Sequence, residues 1–487
     1  MRTARFLGIL TLWMLALAPV THAQAPPPPP PATPTPAPPT PMPAPLTVTP
    51  PAATPPAATT TPATPPATES GTSNVMERVL AHPLSVDEAV AIALETQPVI
   101  QQRLADYQAA AHRVDQVFAA LLPQLTTLVG AFRAQTVNST ARDIRTNPTT
   151  LTTIRPFGET LTAGVTLSQK IFDFGKTSAS TEAARRLAEV AQETVELQRQ
   201  ALTFEVKRQF ILINFAQRLI RVQEQSLERA DLNLRSARGF FEVGTRPKSD
   251  VARAEVDVAN ARVDLIRARN AERVARVALN TAMGIQADAP TQVQDILFYQ
   301  QVQLDPRQLQ LQALSQRPEY KQVRLLVSQA EAQLRRAQRD FLPDVTGRGT
   351  YGGVRSDLNE VWEIGVNLSW TLFDGGNMIA QVREKKSLVD SARSQVRVTE
   401  LNIGQEVEQA YLVVNEAQER IAATQTAVAS AQENFRLAQG RFDAGVGTIL
   451  ELTDAQLFLT QAQNTEAQAL ADYRVALAAL ERATGRR

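Results

Sequence analysis

The chain is written twice, so whatever fold one copy adopts, the other must adopt too. Phe172-Asp173-Phe174-Gly175 returns as Phe373-Asp374-Gly375-Gly376, Phe241-Glu242-Val243-Gly244 as Phe442-Asp443-Ala444-Gly445, and Met283-Gly284 as Thr484-Gly485, each pair 201 residues apart. Upstream, Gln97-Pro98 matches Arg317-Pro318 and Leu122-Pro123 matches Leu342-Pro343 at an offset of 220, so the 19-residue difference is absorbed between Pro123 and Leu167. A unit this long with one variable loop exceeds an ordinary solenoid repeat and predicts a pseudo-symmetric pair. The copies span 76–285 and 307–487, with a linker at 286–306.

Ahead of the copies, Arg2 and Arg5 precede an apolar run from Phe6 to Val20, and Thr21-His22-Ala23 offers small residues for cleavage. This predicts a secretory signal over 1–23, cut after Ala23 or alternatively Ala25. An uncleaved anchor is the other reading, but the run is shorter than the roughly 20 residues a span needs. Residues 24–75 form a Pro/Thr/Ala-rich tether; 20 of the chain's 31 prolines lie between Gln24 and Thr68. Such a segment buries no core and is expected to be an extended spacer. No later segment approaches a transmembrane helix, so an exported chain of this kind that enters a membrane does so as a β-barrel. A net charge of +1 leaves no broad footprint for nucleic acid, and the absence of cysteine excludes disulfides, thiolate metal sites and acylation at an N-terminal cysteine.

Within each copy the hydrophobic period changes from helix to strand and back. Ser85 and Glu88 fit a capping box, and Pro98 and Pro123 bracket a helical stretch. Trp362, Ile364, Val366, Leu368, Trp370 and Leu372 then alternate with polar or small residues, as do Leu161, Ala163, Val165, Leu167 and Ile171. Strict alternation over about ten residues is the signature of a tilted membrane-spanning strand. With weaker preceding segments this predicts strands at 124–135, 161–172, 345–354 and 362–373, in two hairpins. Four strands cannot close a barrel whose smallest members have about eight, so lipid-facing strands require several chains to share one barrel. A soluble four-stranded sheet packed on helices is the alternative.

After the strands, Thr177 to Phe241 runs without proline and predicts a helix of roughly 100 Å. Its seam, Ile220, Leu227, Ala230, Leu234, Ala237 and Phe241, follows heptads, as do Ile421, Val428, Ala431, Phe435, Ala438 and Phe442 in the second copy. Ala-rich seams of this period predict close coiled-coil packing. Turns at 242–249 and 443–450 reverse the chain into shorter returning helices. The helices before the strands, such as Pro98 to Leu122, are expected to stack on their ends and complete each column.

Motifs for enzyme chemistry fail on context. Gly347-Arg348-Gly349-Thr350-Tyr351-Gly352 fits a dinucleotide pattern but lies in a strand and opens no helix. His82 and His112 have no ligand spacing, and no nucleophile stands near a base, so neither an enzyme, a metal nor a cofactor is expected. Asp173 and Asp374 read as caps of the long helices, and Ser249 or Thr448 as caps of the returning ones. Phe172, Trp362, Trp370 and Phe373 are candidates for a membrane-boundary belt.

The ordered set of a Leu-Pro entry to the strands, a Phe-Asp-x-Gly exit, and Phe-x-x-Gly turns followed by Asp/Glu-x-x-x-Ala resembles the TolC family of outer-membrane efflux channels, from about Ser85 to Gly485. The resemblance implies a mixed α and β membrane protein: a homotrimer with a twelve-stranded outer-membrane β-barrel, four strands per chain, continuous with a twelve-helix periplasmic α-barrel. It implies a passive exit duct fed by an inner-membrane transporter and a periplasmic adaptor. By resemblance, Val243, Gly244, Thr245, Arg246, Ala444, Gly445, Val446 and Gly447 form adaptor-docking turns, and Ser249, Asp250, Phe442, Glu451 and Asp454 belong to a periplasmic gate. Glu451 and Asp454 match constriction acids, Glu451 replacing Asp, and Ser249 with Asp250 matches a polar pair that ties helices shut. Phe442 and Gly447 depart from a tyrosine and an arginine found there in the family, and Arg246 is a candidate replacement. The alternatives are a protein-secretion outlet of the same fold and, from another class, a periplasmic coiled-coil scaffold without a pore.

Overall fold

A computed structural model describes residues 79, 82–135, 157–354 and 359–486. All of the described residues fall within one compact unit. The expected signal, the tether and most of the first hairpin loop lie outside the described residues.

The first half comprises α1 (Val86–Thr96), α2 (Pro98–Phe118), β1 (Gln124–Gln135), β2 (Phe157–Phe172), α3 (Lys176–Glu242) and α4 (Lys248–Met283). The second repeats the order: α5 (Pro306–Gln316), α6 (Pro318–Arg339), β3 (Asp344–Val354), β4 (Asn359–Ser369), α7 (Asn377–Asp443) and α8 (Ile449–Ala483). Local chemistry sets the boundaries. Ser85 Oγ accepts from the Glu88 amide at 3.3 Å while the Glu88 carboxylate accepts from the Ser85 amide at 2.9 Å, closing the capping box of α1. Asp173 accepts from the Gly175 and Thr177 amides at 2.9 and 2.7 Å, and Asp374 from those of Gly376 and Met378 at 3.1 and 2.8 Å, so matching carboxylates open the two long helices. Burial pushes the Asp173 carboxyl up, but the hydrogen bonds from Thr177 and Gly175 outweigh it and hold the group below its ordinary value.

Both α3 and α7 run for 67 residues, about 100 Å each. The shorter helices stack end to end beside them. Gln97 Nε2 donates to the Thr281 and Ala282 carbonyls at 2.8 and 3.0 Å, so the start of α2 caps the end of α4. A Cβ on Gly485 would lie 3.1 Å from the Arg317 amide nitrogen, an equally close junction between α8 and α6. Beside it the buried Arg317 guanidinium binds Glu406 at 2.5 Å and Glu319 at 2.9 Å. Burial opposes ionisation of Glu319, yet the Arg317 contact prevails and its carboxyl titrates below the usual range. Apolar clusters lie where α1 meets α3 and α4 (Ile92, Phe210, Leu279) and where α5 meets α7 and α8 (Ala313, Val414, Tyr473). No described helix is long and apolar enough to cross a membrane.

The strands form one antiparallel sheet in the order β1-β2-β3-β4, leaving β1 and β4 as unpaired edges. Its register gathers the apolar alternation onto one face: Leu125 pairs with Leu167, Leu167 with Gly349 and Gly349 with Ile364, while Val165 pairs with Tyr351 and Tyr351 with Trp362. Thr126, Thr166, Thr350 and Glu363 make a polar row on the other face. Leu128 breaks the pattern by sharing that polar face opposite Gly164. Trp362 and Ile364 are 69% and 80% exposed, so the apolar face is bare in the single subunit.

Two strands depart from expectation by more than one residue. β2 starts at Phe157 rather than 161, because its ladder with β1 continues to the Gln135–Phe157 pair. β4 spans Asn359–Ser369 rather than 362–373. The alternation of Trp370 and Leu372 outlasts the ladder: Trp370 Nε1 donates to the Phe341 carbonyl at 3.0 Å as the chain turns toward the Asp374 cap.

Candidate functional site

The two helix-reversing turns come together at one end of the four-helix packing. In the first, Gly244 at φ 74° lets its own amide reach the Phe241 carbonyl at 2.9 Å and the Thr245 amide reach Phe240 at 3.0 Å; the Thr245 hydroxyl adds a bond to the same oxygen at 2.8 Å. In the second, Gly445 at φ 80° follows the Ala444 cap, and the Val446 and Gly447 amides both reach the Arg441 carbonyl, at 3.0 and 2.8 Å. Thr448 caps α8 by accepting from the Glu451 amide at 3.2 Å. The matching expectation for Ser249 is corrected: Pro247 holds the N-cap of α4, and Ser249 sits inside its first turn. The Pro247 carbonyl accepts from the Asp250 amide at 3.1 Å, and the helix starts at Lys248 without a side-chain acceptor.

Beneath the turns, Ala237, Ala254, Phe435, Ala438, Phe442, Leu452 and Ala455 form a shared apolar cluster drawn from α3, α4, α7 and α8. Phe442 is fully buried and meets Phe240 edge-on at 5.6 Å. The Arg246 guanidinium lies 4.7 Å above the Phe442 ring, donates to the Gly447 carbonyl at 2.5 Å, and stands 3.6 Å from the Asp250 carboxylate. One side chain from the first turn thus touches an aromatic ring, a backbone carbonyl and a carboxylate across both turns. Gly447 leaves no room for a side chain of its own: a Cβ there would lie 2.9 Å from Arg441 Cβ and from the Phe442 amide nitrogen.

Higher along α8, Thr453 donates to Asp257 at 3.0 Å, Asn233 to Gln456 at 2.7 Å, and Gln456 to the Ser226 carbonyl at 3.0 Å. This polar seam between the hairpins escaped the sequence reading; its only signal was amide and hydroxyl residues interrupting Ala-rich heptads. Glu451 and Asp454 stay outside the Arg246 cluster. Both are exposed; Glu451 lies 3.6 Å from Arg441, and Asp454 has no hydrogen-bond or ion-pair partner among the described residues. Val243 and Val446 project openly from the two turns.

The four aromatics chosen from sequence belong to the opposite, sheet-bearing end of the long helices. Phe172, Trp362, Trp370 and Phe373 are all exposed, and Phe172 meets Phe174 edge-on at 4.7 Å. No group of three or more His, Asp or Glu able to hold a metal occurs among the described residues.

Known proteins resemble this chain over both halves. The family model described as "Outer membrane efflux protein" matches residues 89–285 and 309–486. The outer membrane efflux protein BepC of Brucella suis biovar 1 is 25% identical over 374 residues, covering 76% of this chain and 78% of the relative. The alkaline protease secretion protein AprF of Pseudomonas aeruginosa is 26% identical over 418 residues, covering 80% and 82%. The crystal structure of outer membrane protein VceC from Vibrio cholerae superposes with a TM-score of 0.68 at 19% identity, covering 82% of this chain and 96% of that one. With both halves matched by one model, the chain belongs to the outer membrane efflux protein family, a family of outer-membrane channels that extend into the periplasm and serve as exit ducts rather than enzymes.

Proposed function

We propose that three copies assemble into one conduit, pooling their sheets into a twelve-stranded barrel and their stacked helices into a twelve-helix tube. The observation that carries this reading is the open sheet. It has two unpaired edges and one continuous apolar face, and both are costly in water. Closure with further copies pairs every edge, and lipid covers the face. Phe172, Trp362, Trp370 and Phe373 then serve as boundary aromatics. The doubled element order fits an internal duplication with 76–285 and 307–487 as the repeats and 286–306 at the equator, after a signal at 1–23 and a tether at 24–75.

In this reading the conduit receives solutes from an inner-membrane transporter through a periplasmic adaptor that docks on the turns around Gly244 and Gly445. Arg246, Asp250, Phe442 and Ser249 hold the turns in the closed arrangement, and the adaptor favours the splayed one by binding it more tightly. Glu451 and Asp454 ring the narrow end and favour cations. Reconstitution in a planar bilayer tests both parts: discrete cation-preferring conductance steps are expected, with Glu451→Ala plus Asp454→Ala weakening the preference. A second reading, an outlet for secreted protein, is favoured by the similarity to a protein named for alkaline protease secretion. Identifying the transporter that co-purifies separates the two.

A further inference from the structure

Reading along α8, Glu451, Asp454, Phe458, Gln461 and Thr465 recur at spacings of 3, 4, 3 and 4, and all five are exposed. They share one strip of the helix. At 3.6 residues per turn, Phe458 stands about 40° around the axis from Asp454 and about 20° from Glu451. Most of the rest of the circumference is occupied. Leu452, Ala455 and Leu459 enter the apolar cluster, Gln456 and Thr460 meet Ser226 of α3, and Thr453 meets Asp257 of α4. Phe458 therefore faces whatever the two acids face. Phe458 is 58% exposed and makes no aromatic or cation contact among the described residues. Leu450 and Leu457 are also exposed but lie on the far flank of Asp454, seven residues apart, the spacing of a helix–helix seam.

We propose that Phe458 is a specificity-determining residue: three copies form an aromatic collar about one helical turn from Asp454 and two from Glu451, selecting organic cations with an apolar body over hydrated inorganic cations. The proposal rests on the pore reading above. Carboxylates attract either kind of cation. A small hydrated ion must shed water before it gains from a ring, whereas a quaternary ammonium with alkyl arms is weakly hydrated and gains both apolar contact and attraction to the ring face. The rise of about 6 Å from Asp454 to Phe458 lets a single solute touch the Asp454 carboxylate and the ring together.

The test uses the full chain in a planar bilayer bathed in KCl, with tetrapentylammonium and tetramethylammonium as probes. Phe458→Ala is expected to raise the half-blocking concentration of tetrapentylammonium about two- to fivefold and that of tetramethylammonium by a smaller factor, because only the longer alkyl arms add apolar contact. The chain contains no cysteine, so Phe458→Cys gives an independent readout. A cationic methanethiosulfonate should lower its conductance and leave Leu457→Cys unaltered. Unchanged tetrapentylammonium block, or a Phe458→Cys channel insensitive to the reagent, overturns the collar. The acid pair separates the two failures. If Glu451→Ala plus Asp454→Ala weakens the preference for K+ over Cl− while the Phe458 arms fail, the collar alone is wrong. If it does not, the pore reading falls.

Discussion

Replacing Arg246 with alanine should free the two turns from each other while leaving the helices folded. The guanidinium has three partners to lose: the Gly447 carbonyl at 2.5 Å, the Phe442 ring at 4.7 Å and the Asp250 carboxylate at 3.6 Å. A charged hydrogen bond contributes about 1.5 kcal/mol, a half-desolvated ring contact about 1 kcal/mol, and an ion pair of this length less than about 1 kcal/mol. One side chain makes all three, so they do not add fully, and a net loss of about 2 kcal/mol is the working figure. If Arg246 acts only in the closed arrangement, the ratio of open to closed turns rises about 30-fold per subunit. Single-channel recording measures this directly as time spent in the high-conductance state. Arg246→Lys keeps the charge but loses the planar fork, so it should fall between the native and alanine channels. Open-state occupancy within about twofold of native in Arg246→Ala, in channels that assemble normally, would refute the assignment of Arg246 to the closure.

Three further outcomes follow from the same geometry. Gly445→Val forces a β-branched residue to φ 80°, at a cost of about 1–2 kcal/mol confined to the turn; efflux in cells should fall while the heat-modifiable trimer still migrates normally on a gel. Gly447→Ala has no such conformational penalty but must displace Arg441 and the Phe442 backbone, so it should mimic Arg246→Ala in recordings by moving the carbonyl that Arg246 binds. Glu319 titrates below its ordinary value of 4.5, so its contribution is complete above that pH and is lost as the pH falls through the lowered value; thermal stability should drop as the pH is taken below that ordinary value, and Glu319→Gln should flatten that drop.

The parts of this molecule that obey a period were legible before any coordinates. Alternation at Trp362, Ile364, Val366 and Leu368 marks a strand because a pleated chain turns successive side chains to opposite faces. The proline-free heptads between Thr177 and Phe241 mark the long helix for the same kind of reason. Asp173 and Asp374 are legible as caps because a cap is made within a few residues. The end of β4 was not legible, since Trp370 and Leu372 continue the alternation after the ladder has stopped; pairing depends on a partner strand, not on the pattern. Ser249 misled because a preceding proline took over the start of α4. The joining of Arg246 to Phe442 and Gly447 spans about 200 positions of sequence. A long flexible side chain reaching between turns leaves no local signature, and only the packing of four helices brings its partners within range.

If three subunits share one barrel, the open sheet of one chain is a third of it. The number of chains per particle tests it most directly, by native mass spectrometry of the mature protein released from detergent. Three copies are expected, with no stable single chain once detergent is withdrawn. A monodisperse single chain that remains soluble in plain buffer would contradict it, because the bare apolar face and both strand edges would then need no partner.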